Sequence, residues 1–375
     1  MNVHAYWPRH SRSGAHLVTG ATGFVGRALV LELLDRTESD VVCLVRNAGE
    51  ASQRLHTSLL EAADAYGADT WVRSAIKTRC HAIPGDLSQD LNAITDPWFG
   101  HIDQVWHCAA SLHYLERDRP LIESVNVDGT VRMVHLAAEL GAEGFHFVST
   151  AFVVGKADGD IAEEAVATAT LNNVYEESKL RAEHAVLDLA ATGLRVTILR
   201  PGTVVGHSAT YAVSGTLSGV YGLARVLQRY DRRVNLPPGP VRIVGSSAAT
   251  IDLVPIDRVA REAVACGLRG EHRGIYHLTS GGTLPMPVLM ATVSQATGTP
   301  PITLIDDPDE LRPPAEHGLN RLLNFHRTHM YGDKGFSRTR TNAIVGQAPT
   351  GISESLLEDL FRHYAAADEP ERVSR

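Results

Sequence analysis

The chain has few cysteines, no long apolar run and no run of basic residues. Its four cysteines, among 375 residues, include no CxxC pair, which excludes the common zinc and dithiol motifs and indicates a reducing compartment. No stretch approaches the length that spans a bilayer, and the amino-terminal residues lack the apolar core of a signal peptide. The formal net charge of −8, without a basic stripe, argues against nucleic-acid binding. We therefore expect a cytoplasmic protein with no membrane or nucleic-acid partner.

Histidines are numerous, but their spacing is not that of metal ligands. Eighteen are present, and none belongs to an HxxxH or HExxH pattern. His326 and His329 are three residues apart in a segment that we expect to lie at the surface. The sequence therefore predicts no metal site.

A glycine-rich turn near the amino terminus is the first feature that indicates a ligand. Residues 19–26 read TGATGFVG, between the apolar run of a buried strand and an amphipathic helical pattern. Gly20 permits the turn, Gly23 allows a phosphate to approach the backbone, and Gly26 lets the helix pack on the strand. Free N–H groups at the helix start attract the anion. The turn predicts dinucleotide contacts from Gly20, Thr22, Gly23, Phe24, Val25 and Gly26.

The residue after the second predicted strand, residues 41–45, indicates which dinucleotide binds. Arg46 stands 20 residues beyond Gly26, where an acidic side chain would bind a ribose 2′-hydroxyl. A guanidinium cannot accept that hydrogen bond, but its fork suits a 2′-phosphate. Arg27 and Arg54 are candidates for a second cation. We predict that the cofactor is NADPH.

Short apolar runs alternate with helical patterns over most of the chain, which predicts an α/β fold with a doubly wound parallel Rossmann sheet. A smaller, mostly helical C-terminal substrate lobe is expected to follow. Ligands of such sheets lie beyond the carboxyl ends of the strands, so Asp86, Ala109, Thr150 and Gly202 are candidates to contact the cofactor.

The same patterns divide the chain. Residues 51–75 read as one long helical region, and residues 251–257 and 274–280 as returns to the sheet edge. We assign residues 12–206 and 248–280 to the NADP-binding domain, 207–247 and 281–367 to the substrate-binding lobe, and 1–11 and 368–375 to flexible termini.

The order of the motifs resembles the extended short-chain dehydrogenase/reductase superfamily. The motifs are TGATGFVG at 19–26, GDL at 85–87, HCAA at 107–110, NVDGT at 126–130, VSTAFVVG at 148–155, YEESK at 175–179 and LRPGTVVG at 199–206. The resemblance implies a catalytic set of Thr150, Tyr175 and Lys179. It places Asp86 near the adenine and Ala109 with Ala110 near the middle of the cofactor. From the same motifs we expect further cofactor contacts from Leu87, Tyr175, Lys179, Pro201, Gly202 and Thr203.

Within the superfamily, four segments resemble the thioester-reductase and fatty-acyl-reductase branch, which includes terminal reductase domains of carboxylic acid reductases and nonribosomal peptide synthetases. They are CLVR at 43–46, STAFV at 149–153, YEESKLRAE at 175–183 and IDLVPID at 251–257. The resemblance implies NADPH-dependent reduction of an acyl thioester, bound to a carrier protein or to coenzyme A, to an aldehyde or on to the alcohol. The sequence contains no recognisable adenylation or carrier domain, so we expect a carrier protein to bind in trans.

The predicted catalytic side chains suit that chemistry. Tyr175 and Lys179 are four residues apart and share one helical face. A free tyrosine titrates near pKa ~10, and we expect the lysine charge to lower that pKa and the ammonium to bind the nicotinamide ribose. The hydroxyls of Thr150 and Tyr175 would meet the negative charge that grows on the substrate oxygen. Ser149 is the less favoured hydroxyl, and Asn126 is expected to be a structural brace between strands.

Three alternatives share the cofactor turn. The substrate could be a ketone or alcohol, as in relatives of hydroxysteroid dehydrogenase or dihydroflavonol reductase, or a sugar nucleotide, as in epimerases. Arg46 weighs against the epimerases that retain NAD. Superfamily members that only sense dinucleotides usually lack the tyrosine and lysine, so Tyr175 and Lys179 place a non-catalytic sensor last.

Overall fold

The structure is a computed structural model that describes residues 14–46, 49–89, 91, 102–190, 193–215, 219–234, 236, 239–312 and 314–368. The termini that the sequence predicts to be flexible, 1–11 and 368–375, lie outside these ranges, apart from Asp368 at the end of the last helix.

The described strands are β1 (Ala15–Thr19), β2 (Asp40–Val45), β3 (Cys80–Pro84), β4 (Ile102–His107), β5 (Gly144–Val148), β6 (Gly159–Ile161), β7 (Arg195–Pro201), β8 (Thr203–Val205), β9 (Val241–Val244), β10 (Thr250–Ile251), β11 (Leu253–Pro255), β12 (Gly274–Leu278), β13 (Leu284–Pro285), β14 (Ile302–Ile305) and β15 (Lys334–Phe336).

The described α-helices are α1 (Phe24–Arg36), α2 (Ala51–Ala65), α3 (Thr70–Arg79), α4 (Arg119–Glu123), α5 (Gly129–Glu139), α6 (Val174–Leu189), α7 (Gly219–Val234), α8 (Ile256–Arg269), α9 (Met286–Thr297), α10 (Ala315–Leu322), α11 (Asn324–Arg327), α12 (Thr339–Val345) and α13 (Glu354–Asp368). A π-helical turn, Ser124–Asp128, joins α4 to α5.

Seven parallel strands form the central sheet in the order β3-β2-β1-β4-β5-β7-β12. The strand order reverses between β1 and β4, so the connections leave those two strands in opposite directions. In open α/β sheets, a ligand crevice forms at the carboxyl ends of such a pair. The predicted doubly wound Rossmann fold is confirmed.

Both faces of the sheet are covered, because successive side chains of a strand point to opposite sides. On β1, Val18 belongs to the hydrophobic cluster that contains α1, α2, α3 and α8. Its neighbour Leu17 belongs to the cluster that contains α5 and α6. Both side chains are fully buried. The continuous apolar strands in the sequence reflect this double covering.

A third hydrophobic cluster lies in the region that the sequence assigns to the substrate lobe. It joins one face of α7 with side chains of α9 and α13 and with β9. The two-stranded pairs β14-β9 and β10-β13 complete this region. The region is mostly helical, as expected, while the exact domain boundaries stay a prediction.

Two sequence predictions about the elements are wrong. The helical region 51–75 is two helices, because the chain turns at Gly67, where φ is +66°. Of the two segments expected at the sheet edge, β12 pairs with β7, but β11 pairs with β8 instead. The reason is that β8 continues the chain past the end of β7, so its partner lies beyond the central sheet.

Candidate functional site

The glycine turn lies at the carboxyl edge where β1 and β4 meet. Gly20 has φ +74°, and a Cβ atom there would lie 2.7 Å from the backbone nitrogen of Ala109. A Cβ atom on Gly26 would overlap the carbonyl oxygen of Gly20. The turn and the first turn of α1 therefore pack backbone against backbone, which leaves no room for side chains at these two positions.

The start of α1 can accept an anion. Gly23 is the N-cap residue, no side chain caps the helix, and its first turn contains no acidic residue. The N–H groups at a helix start have no partner within the helix and carry partial positive charge. A pyrophosphate placed here would meet backbone donors and no side-chain carboxylate. The residues present therefore fit a dinucleotide.

Two cations and a carboxylate line the cavity beyond the ends of β2 and β3: Arg46, Arg54 and Asp86. The backbone and hydroxyl of Ser88 donate hydrogen bonds of 2.9 and 2.8 Å to Asp86. The backbone bond, the hydroxyl and the nearby Arg46 charge lower the pKa of Asp86 below its ordinary value. Asp86 is therefore ionised at neutral pH and available to donors such as hydroxyl groups.

Arg27, the other candidate cation, lies elsewhere. It is not among the residues that line the cavity. Its guanidinium donates to the carbonyl oxygen of Thr22 at 3.0 Å and to the Ser214 hydroxyl at 2.9 Å, and it lies 3.6 Å from the Glu61 carboxylate. Of the three candidate cations, Arg46 and Arg54 therefore line the cavity and Arg27 does not.

A buried chain of hydrogen bonds fixes the segment after β4. Burial lowers the pKa of His107 to about 3, so the imidazole is neutral. Its two nitrogens bond with the hydroxyls of Thr19 at 2.8 Å and Thr130 at 3.0 Å. The Thr19 hydroxyl oxygen also accepts a 3.3 Å bond from the backbone N–H of Ala109. This network holds Ala109 against the glycine turn.

Tyr175 and Lys179 project from the first turns of α6. The helix begins where the side chain of Asn173 accepts a 2.9 Å hydrogen bond from the backbone of Glu176. Lys179 is 2% exposed. Its ammonium donates a 2.6 Å bond to the carbonyl oxygen of Val148 and lies 4.2 Å from the Phe147 ring centroid. The lysine thus ties α6 to the end of β5.

Thr150 follows β5 and has a hydroxyl proton to donate. Its Oγ1 accepts a 3.3 Å bond from the backbone of Phe152. That contact uses a lone pair and leaves the proton available. Among the described residues, no hydrogen-bond partner is found for the buried Ser149 hydroxyl. Three hydroxyl groups, those of Ser149, Thr150 and Tyr175, therefore line the cavity with a proton available.

The pKa values differ from the sequence-based expectation. Burial and the adjacent Glu176 charge raise the pKa of Tyr175 to about 12. Burial lowers the pKa of Lys179 to about 8. The expected lowering of the tyrosine pKa by lysine is not found, since the ammonium is bonded to the backbone of Val148. At neutral pH, Tyr175 keeps its proton and Lys179 keeps most of its charge.

Asn126 is a structural brace, but it does not join two strands as the sequence suggested. Its side-chain amide donates to the Ser178 hydroxyl at 2.9 Å and to the Ser111 carbonyl at 3.1 Å, and its oxygen accepts from the Ser111 backbone at 2.7 Å. It joins the segment after β4 to α6, and it lies in the π-helical turn.

One cavity of about 970 Å³ collects the predicted catalytic and cofactor-binding residues other than the alternative cation Arg27. All of them line it: Gly20, Thr22, Gly23, Phe24, Val25, Gly26, Arg46, Arg54, Asp86, Leu87, Ala109, Ala110, Thr150, Tyr175, Lys179, Pro201, Gly202 and Thr203. Their individual roles stay predictions.

The substrate side of the cavity was missed by sequence reasoning. It is lined by Gly219, Val220, Gly222, Leu223, Arg225, Val226, Ile251, Met286, Leu289, Met290, His326, His329 and Met330. The helical periodicity of α7 and α9 was a usable signal, but it indicates a buried face without saying that the face borders a ligand. Residues 326–330 carry no recognisable motif.

The expected surface position of His326 and His329 is wrong. Both side chains line the cavity, and the His329 ring packs edge-on against Phe152 with centroids 4.7 Å apart. Burial lowers both pKa values to about 4, so both imidazoles are neutral at neutral pH.

Metal ligands and membrane spans are both missing from the residues that the structure describes. Within the described part of the chain, His, Cys, Asp and Glu side chains form no group of three or more that could hold a metal ion. None of the described helices combines the length and the apolar character needed to cross a membrane.

A family model matches residues 18–263, and its description is "Male sterility protein", an NAD-binding family. The match runs from β1 into α8, so it includes every strand of the central sheet except β12 and reaches into the substrate side. It supports a nicotinamide dinucleotide as the ligand of the glycine turn.

Two curated relatives show where similar sequences occur. The isonitrile lipopeptide synthase of Streptomyces coeruleorubidus is 32% identical over 205 residues, which cover 52% of this chain and 13% of the synthase. The L-2-aminoadipate reductase large subunit of Candida glabrata is 29% identical over 275 residues, or 67% of this chain and 19% of that protein. The chain therefore spans a small part of these relatives.

Solved structures agree on the fold. The terminal R domain from the myxalamid PKS-NRPS biosynthetic pathway has a TM-score of 0.75 at 24% identity, with 98% of this chain and 94% of that chain covered. A thiolation-reductase di-domain from an archaeal non-ribosomal peptide synthetase has a TM-score of 0.74 at 21% identity, with 95% and 76% covered.

Proposed function

The chain belongs to the NAD-binding family described as male sterility protein, within the extended short-chain dehydrogenases/reductases, and on that basis we propose that it reduces an acyl thioester to an aldehyde with NADPH. The observation that carries the proposal is the composition of the cavity. The glycine turn lies at one end, Thr150, Tyr175 and Lys179 lie along one wall, and an apolar pocket from α7 and α9 lies at the other end.

NADPH is proposed over NADH because of the cations beyond β2. Arg46 replaces the acidic residue that would bind a free 2′-hydroxyl, and Arg54 lines the same part of the cavity. A guanidinium can bind phosphate through two parallel N–H donors, and such charged hydrogen bonds are about twice as strong as neutral ones. Bound NADPH would supply the hydride.

The side chains of Thr150 and Tyr175 would stabilise the developing charge and supply the proton. The hydroxyls of Thr150 and Tyr175 donate hydrogen bonds to the thioester carbonyl oxygen, where negative charge develops as the carbonyl carbon receives hydride. Tyr175 then transfers its proton to that oxygen, which gives a thiohemiacetal. The Lys179 ammonium, which donates one hydrogen bond to the Val148 carbonyl, would direct its remaining donors to the nicotinamide ribose.

Release of the aldehyde restores the enzyme. The thiohemiacetal hydroxyl returns its proton to the Tyr175 oxygen while the carbon–sulfur bond breaks. The departing thiolate takes a proton from solvent, and the products are aldehyde and free thiol. One further round on the aldehyde would give the alcohol.

The apolar pocket supports an acyl substrate over a sugar nucleotide. Val220, Leu223, Met286 and Met290 are each at most 4% exposed and offer no hydrogen-bond donors to sugar hydroxyls. A buried hydroxyl without a partner costs about 1–3 kcal/mol. The synthase, reductase and synthetase names of the relatives favour a thioester held by a carrier protein or by coenzyme A.

The test is a substrate panel. NADPH oxidation is measured with acyl-coenzyme A, acyl-carrier protein, simple ketones and a nucleotide sugar, and products are identified by mass. We expect aldehyde and free thiol from the thioesters. Turnover of ketones or of the nucleotide sugar, with no reaction of any thioester, would refute the proposal.

A further inference from the structure

We propose that Arg225 binds the phosphate of the phosphopantetheine arm that carries the acyl thioester. This inference rests on the proposed function, because it concerns the part of the substrate that the reaction leaves unchanged. The phosphate is common to coenzyme A and to carrier proteins, so the proposed ligand is that shared group.

Arg225 belongs to an arginine face of α7. Residues spaced by four, seven and eight positions lie on the same side of a helix. Here they are Arg225, Arg229, Arg232 and Arg233. Of the residues that α7 buries, Val220, Leu223 and Leu227 lie toward its other side, Ala224 and Gln228 border the arginine face, and Tyr221 is buried at the amino-terminal end of that face. The acidic residue of α7, Asp231, accepts a hydrogen bond from the backbone of Leu236 and lies off the arginine face.

Burial places Arg225 at the mouth of the substrate pocket. The deep walls, such as Met290 at 0% and Met286 at 1% exposed, are sealed from solvent. Arg225 lines the same cavity but is half-buried, and the three arginines that follow on its face are exposed. The face thus runs from the cavity outward to solvent. An acyl group in the apolar end would direct its thiol-bearing arm past Arg225.

The charges around the mouth favour an anion. Arg225 has no hydrogen bond or ion pair with any residue that the structure describes. Glu176, an acidic side chain on this side, is occupied, because it accepts bonds from the backbone and side chain of Asn172 at 2.9 and 3.0 Å. The face is basic although the whole chain has a net charge of −8.

A phosphate fits better than a carboxylate on the acyl group. A carboxylate near Met286 and Met290 would lie in the apolar end, where an unpaired buried charge is strongly unfavourable. The phosphate lies on the solvent side of the thioester, at the level of Arg225. Its oxygens match the paired donors of a guanidinium, and a lysine at this point would lose that fit.

The experiment compares substrates with and without the phosphate. Kinetics are measured for wild type and Arg225→Gln with acyl-carrier protein, acyl-coenzyme A and acyl-pantetheine that lacks the phosphate. We expect Arg225→Gln to raise KM about tenfold for the two phosphate-bearing substrates, with kcat nearly unchanged, and to leave acyl-pantetheine unaffected. Arg340→Gln, at an exposed position of α12 outside the cavity, is the matched control and should change none of these values.

The outcomes separate the two proposals. An equal rise in KM for acyl-pantetheine would overturn the phosphate assignment. A larger loss with acyl-carrier protein identifies the carrier as the source of the phosphate, and a larger loss with acyl-coenzyme A identifies the coenzyme; both support the assignment. If wild type turns over no thioester, the proposed function fails, and calorimetric titration with free phosphopantetheine still tests Arg225. Equal binding by wild type and Arg225→Gln would then overturn the assignment.

Discussion

The two ends of the cavity are built in different ways. The cofactor end is backbone packed on backbone: Gly20 lies against Ala109, and Gly26 lies against the turn itself. The substrate end is made mainly of side chains from α7 and α9, together with His326, His329 and Met330. Where backbone packs against backbone, few residue types fit. Where side chains form the surface, substitutions can change its shape while the backbone stays in place. On the proposed function, the cofactor end would fix the type of chemistry and the substrate end would select the acyl group.

The largest loss of turnover should come from a substitution in the wall between the two ends of the cavity, where Tyr175 lies. We expect Tyr175→Phe to lower kcat by about a thousandfold, because the proton donor is lost, while NADPH affinity stays nearly unchanged. Fluorescence titration with NADPH and steady-state rates measure the two quantities. A Phe variant that keeps wild-type turnover would remove Tyr175 from the mechanism.

Two alanine substitutions, one at each end of the cavity, test whether the cofactor end tolerates an added side chain less well than the substrate end. Gly26→Ala introduces a methyl group onto the Gly20 carbonyl, so we expect NADPH affinity to fall about a hundredfold and the unfolding temperature to drop. Gly222→Ala in α7 is the matched control, since its Cβ would lie 3.4 Å from the His326 ring, an ordinary contact. It should retain NADPH binding and change only acyl preference. Equal losses of NADPH affinity in Gly26→Ala and Gly222→Ala would contradict the proposed difference between the two ends of the cavity.

Within the cofactor end, we expect Arg46 to bind the 2′-phosphate of NADPH. Arg46→Asp should reverse the preference from NADPH to NADH, by about tenfold or more, because a carboxylate repels the 2′-phosphate and can accept a bond from the 2′-hydroxyl. Arg27→Gln is the control, since Arg27 lies outside the cavity and bonds with Ser214. An unchanged NADPH/NADH ratio of kcat/KM in Arg46→Asp would exclude this role.

The smallest expected effect is a severalfold fall in kcat/KM as pH rises. Reduction needs Tyr175 protonated and Lys179 charged. Burial raises the pKa of Tyr175 to about 12, so its proton is present throughout the neutral range, and burial lowers the pKa of Lys179 to about 8. The lysine charge is therefore lost as pH rises through about 8, and kcat/KM for reduction should fall there. A flat profile across that pH would show that the lysine charge does not support the step.

The residues that the sequence selected for the cofactor end do line the cavity, because the signals for them are local in the chain. The turn after β1 needs glycine, Arg46 follows directly from β2, and Tyr175 and Lys179 lie one helical turn apart, so each signal sits within a few residues. The lining of the substrate pocket had no such signal. Met290 and Met330 meet only after the chain folds, and apolar periodicity in α9 indicates burial without indicating a ligand.

Two errors have the same origin. His326 and His329 looked like surface residues because a polar side chain in a segment without a motif is usually exposed. Their position in the cavity depends on contacts with distant residues such as Phe152. The expected low tyrosine pKa assumed that Lys179 faces Tyr175, whereas its ammonium bonds with the Val148 carbonyl. Spacing along a helix places two residues on a face but does not assign their partners.

The central claim is that hydride passes from the cofactor bound at the glycine turn to the carbonyl carbon of a thioester in the apolar pocket. The most direct measurement is a reaction of an acyl thioester with NADPH that carries deuterium at the transferred position, followed by mass analysis of the aldehyde and titration of free thiol. We expect deuterium on the aldehyde carbon and thiol release equal to the NADPH oxidised. Aldehyde without deuterium, or NADPH oxidation without thiol release, would contradict it.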